Sequence, residues 1–307
     1  KVIIAGGTGL VGQPVVNALL KRGDAVTVVG RSCAKIEEIF GESVASRTLE
    51  TLSDADVRAA DVVLNLAGEN VGSAMRWSAA TVQEILDSRV HITSALAKRI
   101  AASGGSARLA NASGISAYGY RPEVPSAVKD DWAVPIADSI DVLTAVTAKW
   151  EAAATENLPA SHPIVFLRFG VVLCQGGGAL GKMELPFRLC LGGRLGSGEQ
   201  GVSWISLQDA VAATVFLIDH PDILGPVNLV ANYRRQVDFA SALAAALRRP
   251  CIMPAPGFAL RTVLGSEMAN ALVLSDYKVE AKRLREAGFC FQDEVLEETL
   301  REIYATR

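Results

Sequence analysis

One stretch near the start of the chain decides the fold: Val2-Ile3-Ile4-Ala5-Gly6-Gly7-Thr8-Gly9-Leu10-Val11-Gly12. Its first four residues are apolar and predict a buried strand. The periodic apolar residues of Gln13 to Lys21 predict a helix directly after the loop. A G-x-x-G-x-x-G loop between a strand and a helix is typical of a dinucleotide site. The alternative is a structural turn that holds no ligand.

Each glycine of this loop has its own expected task. Gly6 permits the tight turn, Gly9 lets a pyrophosphate approach the backbone, and Gly12 lets the helix pack closely on the strand. The start of the helix supplies unpaired N–H groups and a partial positive charge to the phosphates. The candidate binding residues of the loop are Gly6, Thr8, Gly9, Leu10, Val11 and Gly12.

The residues after the second predicted strand indicate which dinucleotide is bound. NAD-specific proteins place an acid there to hold the ribose 2′-hydroxyl, whereas this chain has Arg31 followed by Ser32. A guanidinium can grip a 2′-phosphate bidentately, and no carboxylate stands there to repel it. We therefore predict NADP as the cofactor, with Arg31 and Ser32 in its site. The alternative is a solvated surface arginine.

Apolar runs alternate with helix-like stretches through roughly the first 230 residues. This alternation predicts an α/β fold with a doubly wound parallel Rossmann sheet. The predicted strands are Val2 to Ala5, Ala25 to Val29, Asp61 to Leu66, Ala107 to Ala112, Ile164 to Phe169 and Val227 to Val230. The predicted helices between them are Gln13 to Lys21, Val82 to Ile100 with Ser78 as N-cap, and Val142 to Thr155.

The alternation weakens beyond Gly176, and the last part of the chain reads as mainly helical. Helices are expected near 238–247, 258–264, 279–286 and 294–304. We predict an NADP-binding Rossmann domain of residues 1–175 with returning strands at about 202–230. Residues 176–201 and 231–307 are expected to form a small, mainly helical C-terminal lobe that covers the substrate.

Composition limits the classes of partner. Thirty Lys and Arg against thirty-three Asp and Glu give a net charge of −3, which favours neither nucleic acid nor an anionic membrane. No apolar run approaches the ~20 residues that a bilayer requires, and the first residues leave no room for a signal peptide. The five cysteines form no C-x-x-C pair and the three histidines no metal-ligand spacing. We expect a cytoplasmic protein with no metal site, as a monomer or homodimer.

Further segments carry a family resemblance. They are Asn65-Leu66-Ala67-Gly68-Glu69-Asn70, Arg76-Trp77, Asp87-Ser88-Arg89-Val90, Lys149-Trp150-Glu151-Ala152-Ala153, Gly177 to Met183, Leu185-Pro186-Phe187-Arg188, Gly192 to Gly198, Ser203-Trp204-Ile205 with Asp209, and Ala287-Gly288-Phe289. With the glycine loop, they resemble the extended short-chain dehydrogenase/reductase superfamily. Within it they resemble the epimerase-family branch related to nucleoside-diphosphate-sugar epimerases, also described as cell-division-inhibitor-like.

The resemblance implies further binding residues. The end of the predicted strand Asp61 to Leu66, with Ala67 after it, should line the adenosine and pyrophosphate cleft. Arg89 stands where many relatives carry an asparagine that faces the active site. We therefore expect Arg89 to point at the cofactor; the alternative is a packing arginine paired with an acid. Glu84 lies about 140° from it around the helix. The implied residues are Leu66, Ala67, Gly68, Glu84, Arg89 and Val172, the last beside the nicotinamide.

Catalysis in the superfamily uses a tyrosine and, four residues on, a lysine that lowers the pKa of the phenol. No Y-x-x-x-K occurs in this chain. Counted back from Glu151, the two places fall on Leu143 and Thr147, neither of which does general acid chemistry. The resembling branch shares this loss.

Two residues are candidates for the remaining chemistry. Ser113 resembles the superfamily serine that hydrogen-bonds the substrate carbonyl, although it could equally cap the strand-to-loop turn. Tyr118 is a substitute proton donor. Lys149 is a weaker substitute, since a helix turns it about 200° away from Thr147.

Lys182, Arg188 and Arg194 stand in the region that covers the substrate in sugar-nucleotide epimerases. They indicate either an anionic small-molecule substrate or solvated loop cations.

Two function classes stay open. One is an NADP-dependent oxidoreductase or epimerase-like enzyme with rearranged acid–base residues. The other is a catalytically silent NADPH-binding regulator or redox sensor.

Overall fold

A computed structural model describes residues 1–119, 130 and 141–305. The strands are β1 (Val2–Ala5), β2 (Val26–Val29), β3 (Ala45–Arg47), β4 (Val62–Asn65), β5 (Arg108–Gly114), β6 (Ile164–Phe169), β7 (Val171–Leu173), β8 (Gly201–Ser206), β9 (Gly225–Leu229) and β10 (Asn232–Arg235). The helices are α1 (Gly12–Arg22), α2 (Cys33–Phe40), α3 (Asp54–Arg58), α4 (Ala79–Ser103), α5 (Val142–Thr155), α6 (Gly178–Arg188), α7 (Leu207–Asp219), α8 (Gln236–Leu247), α9 (Gly257–Leu264), α10 (Ser266–Met268), α11 (Lys282–Glu286) and α12 (Leu296–Ala305).

Seven strands form a parallel central sheet in the order β3-β2-β1-β4-β5-β6-β9. The α/β Rossmann fold is thus confirmed, and all six predicted strands lie in this sheet. The sequence analysis missed β3, because Ala45-Ser46-Arg47 has no apolar run to mark it. It also missed β7 and β10, which form a separate three-stranded sheet with β8. Strand β8 lies at the start of the returning strands predicted at about 202–230.

The chain direction along the sheet reverses between β1 and β4. From β1 it proceeds outward to β2 and β3, and then it returns to β4 on the other side of β1. Loops that leave the carboxyl ends of β1 and β4 diverge at such a switch point and leave a crevice between them. The glycine loop follows β1 and therefore lies at this crevice.

The two faces of the sheet are covered by different helices. Alternate residues such as Ile3, Val63 and Leu109 pack with α3, α4 and α5 on one face. Intervening residues such as Ile4 and Leu64 pack with α1, α7, α8 and α12 on the other. Fully burying such a side chain stabilises the fold by about 1.5–3 kcal/mol, so the two layers fix the sheet between them.

The helix predictions are confirmed at most positions. The Ser78 side chain accepts a hydrogen bond from the Thr81 backbone N–H at 3.1 Å and caps α4, as expected. The C-terminal helices α8, α9, α11 and α12 lie within the predicted stretches or extend them by one or two residues. Helices α2, α3, α6 and α7 and the short α10 were missed.

A small apolar cluster joins the C-terminal part of the chain to the first turns of α4 and α5. Met268 and Ala271 pack against Trp77, Ile85 of α4 and Val146 of α5. The segment after α9 therefore covers the beginnings of the two helices that flank β4 and β5.

No helix of the described residues is long and apolar enough to cross a membrane. Nor do those residues contain a group of three or more metal-ligating side chains.

Candidate functional site

The glycine loop lies directly against the segment that follows β4. Gly6 has a φ of +78°, and a Cβ there would lie 2.7 Å from both the Ala67 nitrogen and the Leu66 carbonyl carbon. Only a glycine permits that approach, since side-chain-bearing residues rarely adopt this φ and the neighbouring atoms are backbone. The structure therefore brings the predicted loop together with the predicted Leu66 and Ala67.

The other two glycines differ in what surrounds them. A Cβ on Gly12 would lie 2.1 Å from the Gly6 carbonyl oxygen, so Gly12 is required for helix α1 to pack on the loop. A Cβ on Gly9 would meet only that same oxygen within 4 Å, at 3.2 Å, and Gly9 is exposed. Gly9 thus borders open space at the start of α1, where a phosphate would approach.

The remaining loop residues lie around the beginning of α1. Val11 is the N-cap residue, and no described side chain caps the helix there. Thr8 is half-buried. Leu10 is 42% exposed and lies beside Gly177 and Gly178, where α6 begins, and the Val172 carbonyl is adjacent to Gly178. Leu10 and Val172 therefore lie on the same side of the crevice.

Arg31 and Ser32 follow β2 at the same edge of the sheet. Arg31 is exposed, as a residue that meets a soluble anion must be. Ser32 caps α2, because its Oγ accepts a hydrogen bond from the Lys35 N–H at 3.4 Å. Their roles toward a 2′-phosphate stay predictions.

Arg89 is packed beneath the cleft rather than extended into solvent. Its Nη1 donates to the Ile85 carbonyl and its Nη2 to the Glu69 carbonyl, both at 2.9 Å. The guanidinium lies 5.0 Å from the Trp150 ring centroid, and burial lowers the pKa of Arg89 to about 10. A Cβ on Gly68 would lie 3.1 Å from its Cζ, so Arg89 supports the loop after β4 from below. Its direct contact with the cofactor stays a prediction.

Glu84 lies on the same helix but is exposed. It is separated from the buried hydrogen bonds that hold Arg89. The structure thus brings most of the predicted binding residues to one crevice and leaves Glu84 at the surface of α4.

A buried amide fixes the floor of the crevice. Asn65 Nδ2 donates to Thr93 Oγ1 at 2.9 Å and to Asn111 Oδ1 at 2.8 Å, and Asn65 Oδ1 accepts from the Ala67 N–H at 3.1 Å. The Trp150 indole N–H also donates to Thr93 at 3.0 Å. These bonds hold the loop after β4 in place, and the sequence analysis assigned them no role.

Three polar residues stand side by side at the carboxyl ends of neighbouring strands. Ser113 of β5 is in register with Arg168 of β6, which is in register with Asn228 of β9. All three are nearly inaccessible to solvent. We call this row the serine end of the cleft. Strand β4 lies between it and β1, which carries the glycine loop.

A carboxylate joins the first two members of the row. Ser113 Oγ donates to Glu151 Oε1 at 2.6 Å, and Arg168 donates from Nε to Oε1 and from Nη2 to Oε2, both at 2.8 Å. Burial by itself would lower the pKa of Arg168, but its hydrogen bonds and attraction to Glu151 outweigh this and raise the pKa. The carboxylate and the guanidinium therefore form a buried, bidentate ion pair.

Tyr118 completes the serine end. Its phenol donates to Asn228 Oδ1 at 2.7 Å, and its ring centroid lies 4.7 Å from the guanidinium carbon of Arg168. Burial is the main reason that the pKa of Tyr118 is raised. The role of Tyr118 as a proton donor to substrate stays a prediction.

Comparison with known proteins agrees with this architecture. Residues 2–139 match the NAD dependent epimerase/dehydratase family, and residues 255–303 match a domain of unknown function, DUF1731. The epimerase family protein SDR39U1 of Bos taurus is 35% identical over 310 residues, which cover 99% of this chain and 100% of the relative. The chain belongs to the epimerase family.

Solved structures extend this result. The crystal structure of the human epimerase family protein SDR39U1 (isoform 2) with NADPH has a TM-score of 0.84 and 31% identity, and the match covers 100% of this chain and 99% of that one. The UDP-glucose 4-epimerase of Thermus thermophilus in complex with NAD has a TM-score of 0.74 over 99% of both chains. At 16% identity, the latter shows a shared fold alone.

The sequence analysis assigned the places of the expected acid–base pair to Leu143 and Thr147, and that assignment stays a prediction. Thr147 Oγ1 donates to the Leu143 carbonyl at 2.7 Å and lies 2.7 Å from Ser116 Oγ. Lys149 is exposed to solvent. The described side chains that form hydrogen bonds with Ser113, Thr147 and Tyr118 therefore include no lysine that could lower the pKa of a phenol.

All three predicted loop cations, Lys182, Arg188 and Arg194, are exposed, and Arg188 also pairs with Glu184 at 3.2 Å. The sequence analysis missed Glu151 and Arg168 as site residues. A signal was present, because Arg168 interrupts an otherwise apolar strand and a charge in such a position requires a partner.

Proposed function

We propose that this protein is an NADP(H)-dependent oxidoreductase or nucleotide-sugar-epimerase-like enzyme that works without the tyrosine–lysine pair. The observation that carries the proposal is the crevice at which Gly6 touches the segment after β4 while Gly9 borders open space. A dinucleotide pyrophosphate suits this space, and the uncapped start of α1 offers N–H groups to it. The NADPH in the related human structure supports the same assignment.

The residues present fit a phosphorylated cofactor. Gly9 and the start of α1 would hold the pyrophosphate, Leu66 and Ala67 would line the adenosine side, and Arg31 would bind the 2′-phosphate. Val172 and Leu10 would border the nicotinamide side. When bound, the nicotinamide supplies or accepts a hydride. The protein's own part is to orient a substrate at Ser113 and to hold the polar groups around it.

The substrate class follows from what surrounds the cleft. Lys182 of α6 lies near Gly72, in the loop after β4, and both Lys182 and Arg194 are exposed. We therefore favour a small anionic substrate, which these cations would attract at the cleft entrance. A cytoplasmic location and a monomeric or homodimeric state belong to the same proposal.

A second candidate is a silent NADPH-binding regulator, which the replacement of the acid–base pair by Leu143 and Thr147 favours. The experiment that separates the two is a metabolite-library screen with protein-bound NADPH, read by absorbance at the nicotinamide band. Oxidation by one or a few metabolites supports the enzyme. Bound NADPH that no metabolite oxidises, together with bound NADP⁺ that no metabolite reduces, supports the regulator.

A further inference from the structure

The hydroxyl of Ser113 has a single hydrogen, and the structure fixes where it points. Both oxygens of Glu151 accept from Arg168, at 2.8 Å each, so Glu151 is an ionised carboxylate and a pure acceptor. Its 2.6 Å bond to Ser113 then requires that Ser113 donate. A group that approaches the Ser113 oxygen therefore meets its lone pairs, since the hydrogen is directed to Glu151.

The neighbouring hydroxyls are committed in the same way. Thr147 donates to the Leu143 carbonyl, so its contact with Ser116 is one in which Ser116 donates. Tyr118 donates to Asn228. The hydroxyl hydrogens of Ser113, Ser116, Tyr118 and Thr147 therefore all point at protein acceptors.

We propose that Glu151, held in place by Arg168, reverses the hydrogen-bonding polarity of Ser113, so that this site takes substrates that present a hydroxyl or amine donor rather than a bare carbonyl. This rests on the proposed function, because it concerns the substrate end of the same cleft. Glu151 and Arg168 are positioning residues, and Ser113 is the group that touches the substrate. The expected partner is thus the alcohol or amine side of a redox pair.

The polarity can be observed without knowing the substrate. Neutron diffraction from perdeuterated protein locates the deuterium of the Ser113 hydroxyl. We expect it on the line between Ser113 Oγ and Glu151 Oε1, with no deuterium on Glu151. A deuterium directed into the cleft, or one carried by Glu151, overturns the proposal.

Substitution of Glu151 tests the consequence. The double variant Glu151→Leu with Arg168→Met removes the acceptor of the Ser113 hydrogen without leaving an unpaired charge, so the hydrogen is free to turn toward the cleft. Cyclohexanol and cyclohexanone serve as matched probes in saturation-transfer NMR with NADPH-loaded protein. Wild type should bind the alcohol about tenfold more tightly than the ketone, the usual effect of one net hydrogen bond, and the double variant should lose this preference, because both probes can accept the serine hydrogen. If the ratio of the alcohol affinity to the ketone affinity is the same in wild type and in the variant, the proposal is wrong.

Two controls separate this inference from the cofactor assignment. Lys149→Gln changes an exposed residue two positions away and should keep the wild-type ratio. Ser113→Ala should remove the preference in both directions. Calorimetry with NADPH on each variant then reports the proposed function independently: a wild type that binds no NADPH defeats the cofactor assignment, whereas the neutron map still decides the polarity of Ser113.

Discussion

The two ends of the cleft are built by different means. The glycine loop is a continuous run of seven residues, and its shape depends on backbone contacts such as the 2.7 Å approach of Gly6 to the segment after β4. The serine end is assembled from side chains of β5, α5, β6 and β9, where Glu151 lies 38 residues from Ser113 along the chain. The first end requires the absence of side chains, and the second requires particular ones.

This difference determines which substitutions each end of the cleft can accept. The glycine loop tolerates no side chain at Gly12, because a Cβ there would lie 2.1 Å from the Gly6 carbonyl oxygen. A network of charged side chains can be replaced as a set, provided that each buried group finds a partner. The chain thus combines one end that excludes side chains with another that depends on them.

The largest expected effect distinguishes two glycines of the loop. Gly12→Ala places a Cβ 2.1 Å from a backbone oxygen and should destabilise the fold by more than about 3 kcal/mol in urea unfolding. Gly9→Val should leave the fold nearly intact but occupy the phosphate space. NADPH at about a hundred times its Kd should stabilise wild type by about 2.7 kcal/mol and leave the Gly9→Val melting temperature unchanged.

If NADPH stabilises Gly9→Val as much as wild type, the phosphate does not lie on this loop. If Gly12→Ala unfolds at the same urea concentration as wild type, the close packing of α1 on the loop does not require a glycine at position 12.

The ion pair of the serine end should show the next largest effect. Arg168→Met leaves Glu151 buried without its partner and should cost about 3–5 kcal/mol of unfolding free energy, measured in urea. The double variant Arg168→Met with Glu151→Leu should be more stable than Arg168→Met alone, because it removes the unpaired charge. A double variant whose loss equals the sum of the two single losses would show that the pair is not coupled.

Activity on standard substrates of the superfamily is the third contrast. We expect no detectable epimerisation of UDP-glucose, because the sequence analysis assigns Leu143 and Thr147 to the places where a tyrosine and a lysine would act. General acid–base participation is worth about 10²- to 10⁴-fold in rate, so its absence leaves only slow residual chemistry. Rapid UDP-glucose epimerisation by wild type, followed by coupled assay, would place the catalytic centre elsewhere.

The same contrast explains how much of the structure could be predicted from the sequence. The strand–loop–helix pattern at Gly6 to Gly12 is local, and the alternation of apolar runs located all six of the longer central strands. Strands β3 and β10 lack that pattern, because they are short and mostly polar. The Ser113–Glu151–Arg168 bonds depend on strand register, which places β5 beside β6 and which no local pattern encodes.

The cofactor preference is the smallest effect and tests the account most directly. Titration calorimetry should show that wild type binds NADPH about 10- to 100-fold more tightly than NADH, because Arg31 adds a charged, bidentate bond to the 2′-phosphate. Arg31→Asp should reverse the order, since a carboxylate repels the phosphate and accepts the ribose hydroxyl. Equal affinities of wild type for the two cofactors would contradict the central claim that this crevice is an NADP(H) site.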